Sequence, residues 1–448
     1  MRDHKMEHRR RRGHWKVGVL GIVASACLIG ASTGVQATSV GTPIHLNSVT
    51  MESTTPAAGA SPTSSSSIRP SSSGTASPRP LKTLPTGFQP ETLDADWSAH
   101  LVAVGGYLNN QWIVYVTPNQ GRSWRRFTPP RVPAASPTGA NPRYPAVNVL
   151  APGYIQMVWV SHHRVWTTTT ANDGRTWHEW SMEAPTGKAA APYTVAALDF
   201  VTPLDGWMMI HSLPAMAGYS WSWLYRTTNG GRTWQTSGLR AGGLSGRLEV
   251  TSAATTWAFF ENHYKPGHLY RVTDGGTRWQ RVPLPMSAKV QGLQSSSTGP
   301  VFSTTLPRAG LIAIAYAPAH LGVHLAWDRT TDGGQTWQRV IAVKPWSPGS
   351  VAATVLTNPQ TAFVLAQSRG TPSHQRWYET TDGTRQWEAW PYAPFRQLEP
   401  IESVGPTLAS GSRTLWAIIY RSGHHGHLAS RVGEVVRTTD GGHHWATY

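Results

Sequence analysis

Seven times along the chain, an apolar run gives way to a polar, mostly glycine-bearing turn that closes on a tryptophan. The turns are Thr117-Pro-Asn-Gln-Gly-Arg-Ser-Trp124, Thr170-Ala-Asn-Asp-Gly-Arg-Thr-Trp177, Thr227-Thr-Asn-Gly-Gly-Arg-Thr-Trp234 and Val272-Thr-Asp-Gly-Gly-Thr-Arg-Trp279. Three more follow: Thr330-Thr-Asp-Gly-Gly-Gln-Thr-Trp337, Thr380-Thr-Asp-Gly-Thr-Arg-Gln-Trp387 and Thr438-Thr-Asp-Gly-Gly-His-His-Trp445. Before a turn stands a β-like run such as Trp112-Ile-Val-Tyr-Val116 or Trp223-Leu-Tyr225, and after it a short strand such as Trp124-Arg-Arg-Phe127. Each turn therefore predicts a hairpin between antiparallel strands.

A weaker strand–turn–strand pattern precedes many of them, as in Leu198-Asp-Phe-Val-Thr-Pro-Leu-Asp-Gly-Trp-Met-Met-Ile210, and recurs near Trp257, Phe363 and Trp416. Two hairpins per repeat make four strands. Tryptophans 45 to 58 residues apart set the period, and self-similarity on that scale marks a solenoid or a propeller. The expected fold is all-β: one seven-bladed propeller of four-stranded antiparallel blades over residues 86–448. Its last phrase ends three residues before Tyr448. Blade seven should thus have a short outer strand, or be completed by the segment near Phe88–Trp97.

The turn chemistry supports this. Asn or Asp at the third position (Asn119, Asn172, Asn229, Asp274, Asp332, Asp382, Asp440) accepts hydrogen bonds from turn amides. Glycine at the fifth (Gly121, Gly174, Gly231, Gly276, Gly334, Gly442) supplies left-handed backbone. The closing ring is an apolar lid over the turn.

The N-terminus reads differently. Residues 1–16 are rich in arginine and run into the apolar stretch Val17–Gly30 and then Val35-Gln36-Ala37. Residues 1–37 are expected to be a signal peptide cleaved after Ala37, or an uncleaved anchor that contacts the membrane through residues 17–37. Both place the rest of the chain outside the cytoplasm. Residues 38–85 are rich in Ser, Thr and Pro and predict a disordered linker.

Of the 448 residues only 14% are charged, against about 25% in a typical soluble domain. Tryptophan reaches 22, which excludes a disordered chain. The single cysteine, Cys27, excludes an internal disulfide and a thiolate zinc site. A net charge of +16 favours an anionic partner, and export argues against nucleic acid. A monomer is expected.

The phrase resembles the BNR/Asp-box repeat, Ser/Thr-x-Asp-x-Gly-x-Thr-Trp. Paired with Asp-Gly-Trp turns, it looks most like the photosystem II stability/assembly factor type of propeller. Asn119, Asn172, Asn229, Thr384 and Val272 depart from the pattern. The resemblance implies that the boxes are structural, at the blade periphery, and that the protein binds rather than cleaves. Related propellers include sialidases, whose N-terminal Phe-Arg-Ile-Pro has no counterpart here beyond Phe395-Arg396-Gln397-Leu398. They also include xyloglucanases, so a glycoside hydrolase is the alternative. It requires two converging carboxyl groups, and Asp199, Asp205, Glu249, Glu261, Glu399 and Glu402 are the candidates considered, with no spacing that singles out a pair.

No cofactor or metal site is read from the sequence; His424-His425-Gly426-His427 has no carboxylate beside it. The candidate binding residues are Tyr219, Trp221 and Trp223, on a long insertion of blade three. Their rings suit a protein or an acidic envelope glycan.

Overall fold

The computed structural model describes residues 66–71, 80–96, 100–133, 144–161, 163–185, 193–212, 220–243, 246–260, 268–285, 295–303, 306, 308–316, 324–340, 348–368, 375–389, 401–409, 413–421 and 432–448. The expected signal or anchor (1–37), Tyr219, Glu261, Glu399 and His424–His427 lie outside them. Among the described residues no helix is long and apolar enough to cross a membrane.

Seven antiparallel sheets, each with four consecutive strands, form the molecule. Blade one comprises Gln89–Asp96, Leu101–Leu108, Gln111–Thr117 and Arg125–Phe127. Blade two comprises Ala146–Ala151, Tyr154–Ser161, Arg164–Thr170 and Trp177–Glu183; blade three, Tyr193–Phe200, Gly206–Ser212, Ser220–Thr227 and Gln235–Gly243. Blade four runs Gly246–Ser252, Thr255–Phe260, His268–Thr273 and Arg278–Val282. Blade five runs Ser295–Phe302, Gly310–Tyr316, His324–Thr330 and Gln338–Val340. The last two are Pro348–Leu356, Ala362–Ser368, Gln375–Thr380 and Glu388–Ala389, then Ile401–Ala409, Leu415–Arg421, Val432–Thr438 and Ala446–Thr447. The first strand of every blade touches the first strand of both neighbours, including blade seven against blade one. First strands thus line the axis, and the ring is closed.

The boxes join the third and fourth strands. In six of them the first Thr does two jobs: its hydroxyl donates to the Asn or Asp, as in Thr330 Oγ1 to Asp332 Oδ1 at 2.7 Å, and accepts the fifth-position amide, as from Gly334 N at 2.8 Å. Asn replaces Asp without loss. Asn229 Oδ1 accepts the Thr227 hydroxyl and the Thr233 amide, while its Nδ2 donates to Thr233 Oγ1 at 2.8 Å. In Asp332 that last bond is reversed, with the Thr336 hydroxyl donating to Oδ2.

Six of the seven closing rings pack on the preceding blade. Trp124 meets Trp416 edge-on at 5.9 Å, Trp337 meets Trp257 at 6.3 Å, and Trp387 stacks on Trp327 at 4.2 Å. Trp234 donates to Thr167 Oγ1, and Trp177 and Trp445 lie in the cores shared with blades one and six. Gly334, at φ +83°, is pressed onto Trp257, where a Cβ would come within 2.4 Å of the ring.

Box four departs from this plan. Val272 has no hydroxyl to hold the turn, and Asp274–Gly276 winds into a single 3-10 turn, with Asp274 at φ 51°. Trp279 remains 37% exposed, and its ring contact among the described residues is Tyr270 of its own blade, at 5.8 Å. The expected lid is absent there; Leu239 and Val272 fill that junction instead.

Box six shows the cost of losing glycine. Thr384 occupies the fifth position at φ 78°, buried, with its hydroxyl unsatisfied. A β-branched residue pays strain there. Thr384→Gly should therefore raise stability by about 1 kcal/mol, read as a higher midpoint in chemical denaturation; an unchanged or lower midpoint would refute the strain.

Blade seven ends in its own short strand, Ala446–Thr447, whereas Gln89–Asp96 is the inner strand of blade one. The ring closes by packing rather than by a shared sheet. Tyr448 lies on Trp416 at 5.3 Å and Trp124 at 6.0 Å, and Arg437 Nη1 donates to Gln120 O of the first box.

The expected boundary at residue 86 falls within ordered chain. Leu81 exchanges two 2.8 Å backbone hydrogen bonds with Trp124, and Leu81 and Leu84 pack on the core around Phe88. Further upstream, Ser66–Ser71, inside the expected linker, pairs with Trp177–Glu183 as a fifth strand of blade two.

Candidate functional site

The third strand of blade three carries the predicted rings. Ser220 and Ser222 are buried on one face, bonded to the two nitrogens of His211 at 2.8 and 2.9 Å. Alternation puts Trp221 and Trp223 on the other face, half-buried. Trp223 packs edge-on against Tyr193 at 5.7 Å, on the core shared with blade two. It is therefore largely a packing residue. Trp221 lies further out, beneath Arg240 of the neighbouring strand, whose guanidinium carbon is 4.0 Å from the Trp221 ring centre and 5.5 Å from that of Trp223. Arg240 is exposed and has no carboxylate partner among the described residues. On blade two, the exposed Arg232 lies over Trp180 at 5.6 Å. Guanidinium on indole gains cation–π attraction while its N–H edge stays open. The arrangement can take an anion at the guanidinium edge and an apolar ring face beside it.

A second cluster lines the axis. Counting from the residue opposite the first position of each box, one inner-strand position recurs in all seven blades. It is Asp94, Asn148, Asp199 and Glu249 in blades one to four, but Val301, Val355 and Leu408 in blades five to seven. Four consecutive blades are polar at this level and three apolar. Asp94 Oδ2 accepts the Val149 amide of the next blade at 2.6 Å and Asn148 Nδ2 at 3.2 Å. Glu249 Oε1 accepts the equivalent amide, of Phe302, at 3.0 Å.

Burial pushes all three acids up to about 7. For Asp94 and Glu249 the bonded amides oppose the rise, while the Asp199 charge reinforces it at Asp94. At Asp199 only the neighbouring Glu249 adds to burial. Of the carboxylates considered from sequence, Asp199 and Glu249 are thus brought together, with Asp94 as an unforeseen third. Asp205 is instead held in its turn by Thr202 and Arg226.

Glu91 sits three residues before Asp94, at a β-bulge. The corresponding bulges hold Ala196, Thr298-Gly299, Ala352 and Gly405-Pro406. Glu91 accepts the Tyr420 hydroxyl at 3.3 Å and a hydrogen bond from Tyr144. Burial, with Glu91 nearby, pushes the Tyr107 phenol up to about 12 and Tyr144 higher still. These phenols stay protonated and tie blades one, two and seven together at the seam. No metal-holding group of three or more side chains occurs among the described residues.

No family model matches the chain, and no curated protein matches it. Solved structures do. An ulvan lyase of polysaccharide lyase family PL25, bound to -[GlcA(1-4)Rha3S]-, superposes with a TM-score of 0.50 at 11% identity, covering 83% of this chain and 98% of its own. The GH74 xyloglucanase from Xanthomonas campestris gives 0.45 at 13% identity, over 79% of this chain; the protein spans 60% of that enzyme's length. YCF48 bound to D1 peptide gives 0.40 at 16% identity, over 66% of this chain and 77% of its own. At these identities the likeness is one of fold alone, and the chain is a seven-bladed propeller.

Proposed function

We propose that the protein is an exported, non-catalytic Asp-box propeller that binds an anionic polymer or protein of the cell envelope, assembly-factor-like, outside the cytoplasm. The observation that carries this reading is the exposed Arg240, without a carboxylate partner among the described residues, resting on Trp221. An acidic glycan suits it best, because a sugar face stacks on indole while a uronate or sulfate meets the guanidinium. Residues 1–16 carry +5 of the net charge of +16, and the +11 on the rest of the chain draws such a polymer in.

Affinity electrophoresis in gels containing polygalacturonate tests this. Arg240→Gln and Trp221→Ala should each weaken retardation about tenfold, and added salt should weaken the parent's. Retardation unchanged in both variants would remove the site.

A second reading, a polysaccharide-cleaving glycoside hydrolase, has one observation in its favour: three axial carboxyls raised to about 7, the range of a general acid. Against it, Asp94 and Glu249 each accept an amide of the next blade, and Trp207 and Trp257, paired with Asp199 and Glu249, are fully buried. No exposed aromatic platform flanks the acids among the described residues. Reducing ends released from acidic polysaccharide by the parent, but not by Asp199→Asn, would favour this reading over the first.

A further inference from the structure

Among the described residues, blade two alone carries a fifth strand. Its outer strand, Trp177–Glu183, has seven residues, whereas blades one, five, six and seven end in strands of two or three. Short edges leave little for another chain to pair with. The longer edges of blades three and four carry other safeguards: Gly238, Arg240, Gly242 and Gly243 in one, Arg278 and Arg281 in the other. Trp-His-Glu-Trp-Ser-Met-Glu has no Lys, Arg, Gly or Pro. It is an edge built to be paired.

Glu179 lies in the middle of that edge. It is 1% exposed, and among the described residues neither carboxylate oxygen has a hydrogen-bond partner. Its one ionic neighbour among them is Arg131, 3.4 Å away and itself 51% exposed. A carboxylate buried this far needs a closer donor. The resident strand does not place one opposite: Ser66, Ser67 and Ile68 pair with Ser181, Trp180 and Glu179. Between Ile68 and Ser71 the register shifts by one, so that Ser71 pairs with Trp177. Had the register at Ser71 extended two residues further, Arg69 would stand opposite Glu179. In antiparallel pairs, directly opposed residues share a face, and opposite charges there stabilise the pairing.

We propose that the outer edge of blade two is a strand-addition site that selects an extended segment with a cationic residue opposite Glu179. Ser66–Ser71 is its resident in cis, held one residue out of the preferred register, and an incoming basic strand displaces it. The test of this site reads backbone pairing along residues 177–183 and does not depend on glycan binding.

The test uses the full chain and amide hydrogen exchange across residues 177–183. Ile68→Arg should slow exchange there at least tenfold relative to Ile68→Glu. In a Glu179→Gln background that difference should collapse to less than twofold. A fluorescein-labelled peptide spanning residues 62–75 and carrying Ile68→Arg should bind the Ile68→Glu chain at least tenfold more tightly than the Ile68→Arg chain. Equal exchange in the two variants, a difference that persists in Glu179→Gln, or equal peptide binding would each overturn the proposal. Cross-linking of Ser66→Cys to Ser181→Cys in a Cys27→Ser chain, compared with Ser66→Cys to His178→Cys, reads the register directly. The first pair should link within one chain at any protein concentration. Linked dimers or equal yields would place the strand elsewhere.

Discussion

Arg339→Met is expected to cost about 3–5 kcal/mol of folding stability at neutral pH, the penalty of stripping a buried charge of its partner. Asp328 is fully buried, and the Arg339 guanidinium grips it with two parallel bonds, Nε to Oδ1 at 3.0 Å and Nη2 to Oδ2 at 3.1 Å. Burial pushes the Asp328 carboxyl above its usual range even with Arg339 in place, because the guanidinium only partly offsets it. Without the arginine the carboxyl rises further and takes up a proton. The loss should therefore shrink as pH falls, when protonation costs less. Replacing both partners together, Asp328→Leu with Arg339→Met, removes the buried charge and should recover most of the stability. Denaturation midpoints of the two variants at pH 5 and pH 8 decide it. A single variant as stable as the parent, or a double variant as unstable as the single, would show that the pair is not what holds this edge of blade five.

Much of the fold is legible from sequence because the box is a local code. Thr, Asn or Asp, and Gly define the turn through bonds that span only two to four residues, so reading them requires no knowledge of the ring. Val272 shows how local it is: one missing hydroxyl, and Trp279 stays at the surface. Ring closure was not local. Tyr448 reaches Trp124, and Tyr420 reaches Glu91, more than three hundred residues apart in sequence.

The candidate site was half visible. Trp221 and Trp223 stand out as exposed-looking rings, but only the cross-strand register brings Arg240 onto Trp221 and Tyr193 onto Trp223. The axial acids had a faint signal, since Glu91, Asp94 and Asp96 crowd six positions in a chain with 23 acidic residues. Their shared level across blades one to four becomes apparent only once every inner strand is aligned on its box. Leu81 and Ser66–Ser71 were hidden because their pairing is made by backbone, which a Ser- and Pro-rich composition does not announce.

Stability should be greatest near pH 4 to 5 and fall towards neutrality, the reverse of a protein held by surface carboxylates. Two sets of acids set the two sides of this optimum. Asp94, Asp199 and Glu249 have ordinary values of 3.8, 3.8 and 4.5 and stand near 7 in the fold. Between about pH 4 and 7 the folded chain therefore holds protons that the unfolded chain has released, and stability declines as pH rises through that window. A displacement of about three units is worth on the order of 4 kcal/mol at one group, and the three titrate as a coupled set. The box acids act in the opposite sense. At Asp332 burial works upward, but bonds from the Thr336 hydroxyl and amide, the Thr330 hydroxyl and the Gln335 amide outweigh it and hold the carboxyl at about 2. Asp382 is lowered chiefly by the Gln386 amide; Asp440 is lowered too, where the His444 amide and ring overcome burial. Their contribution is present above the ordinary value near 4 and lost as pH falls through the folded ones. Asn119, Asn172 and Asn229 make the same turn bonds without titrating, so three of the boxes are indifferent to acid. Asp199→Asn, whose carboxyl accepts no described amide, should gain about 1–2 kcal/mol at pH 8 and little at pH 4. The triple variant Asn119→Asp, Asn172→Asp, Asn229→Asp should match the parent at neutral pH and lose stability faster below pH 4. Melting temperatures scanned from pH 3 to pH 8 test both slopes at once. Profiles that run parallel for all three proteins would refute the assignment of the acid limb to the boxes and of the neutral limb to the axial carboxyls.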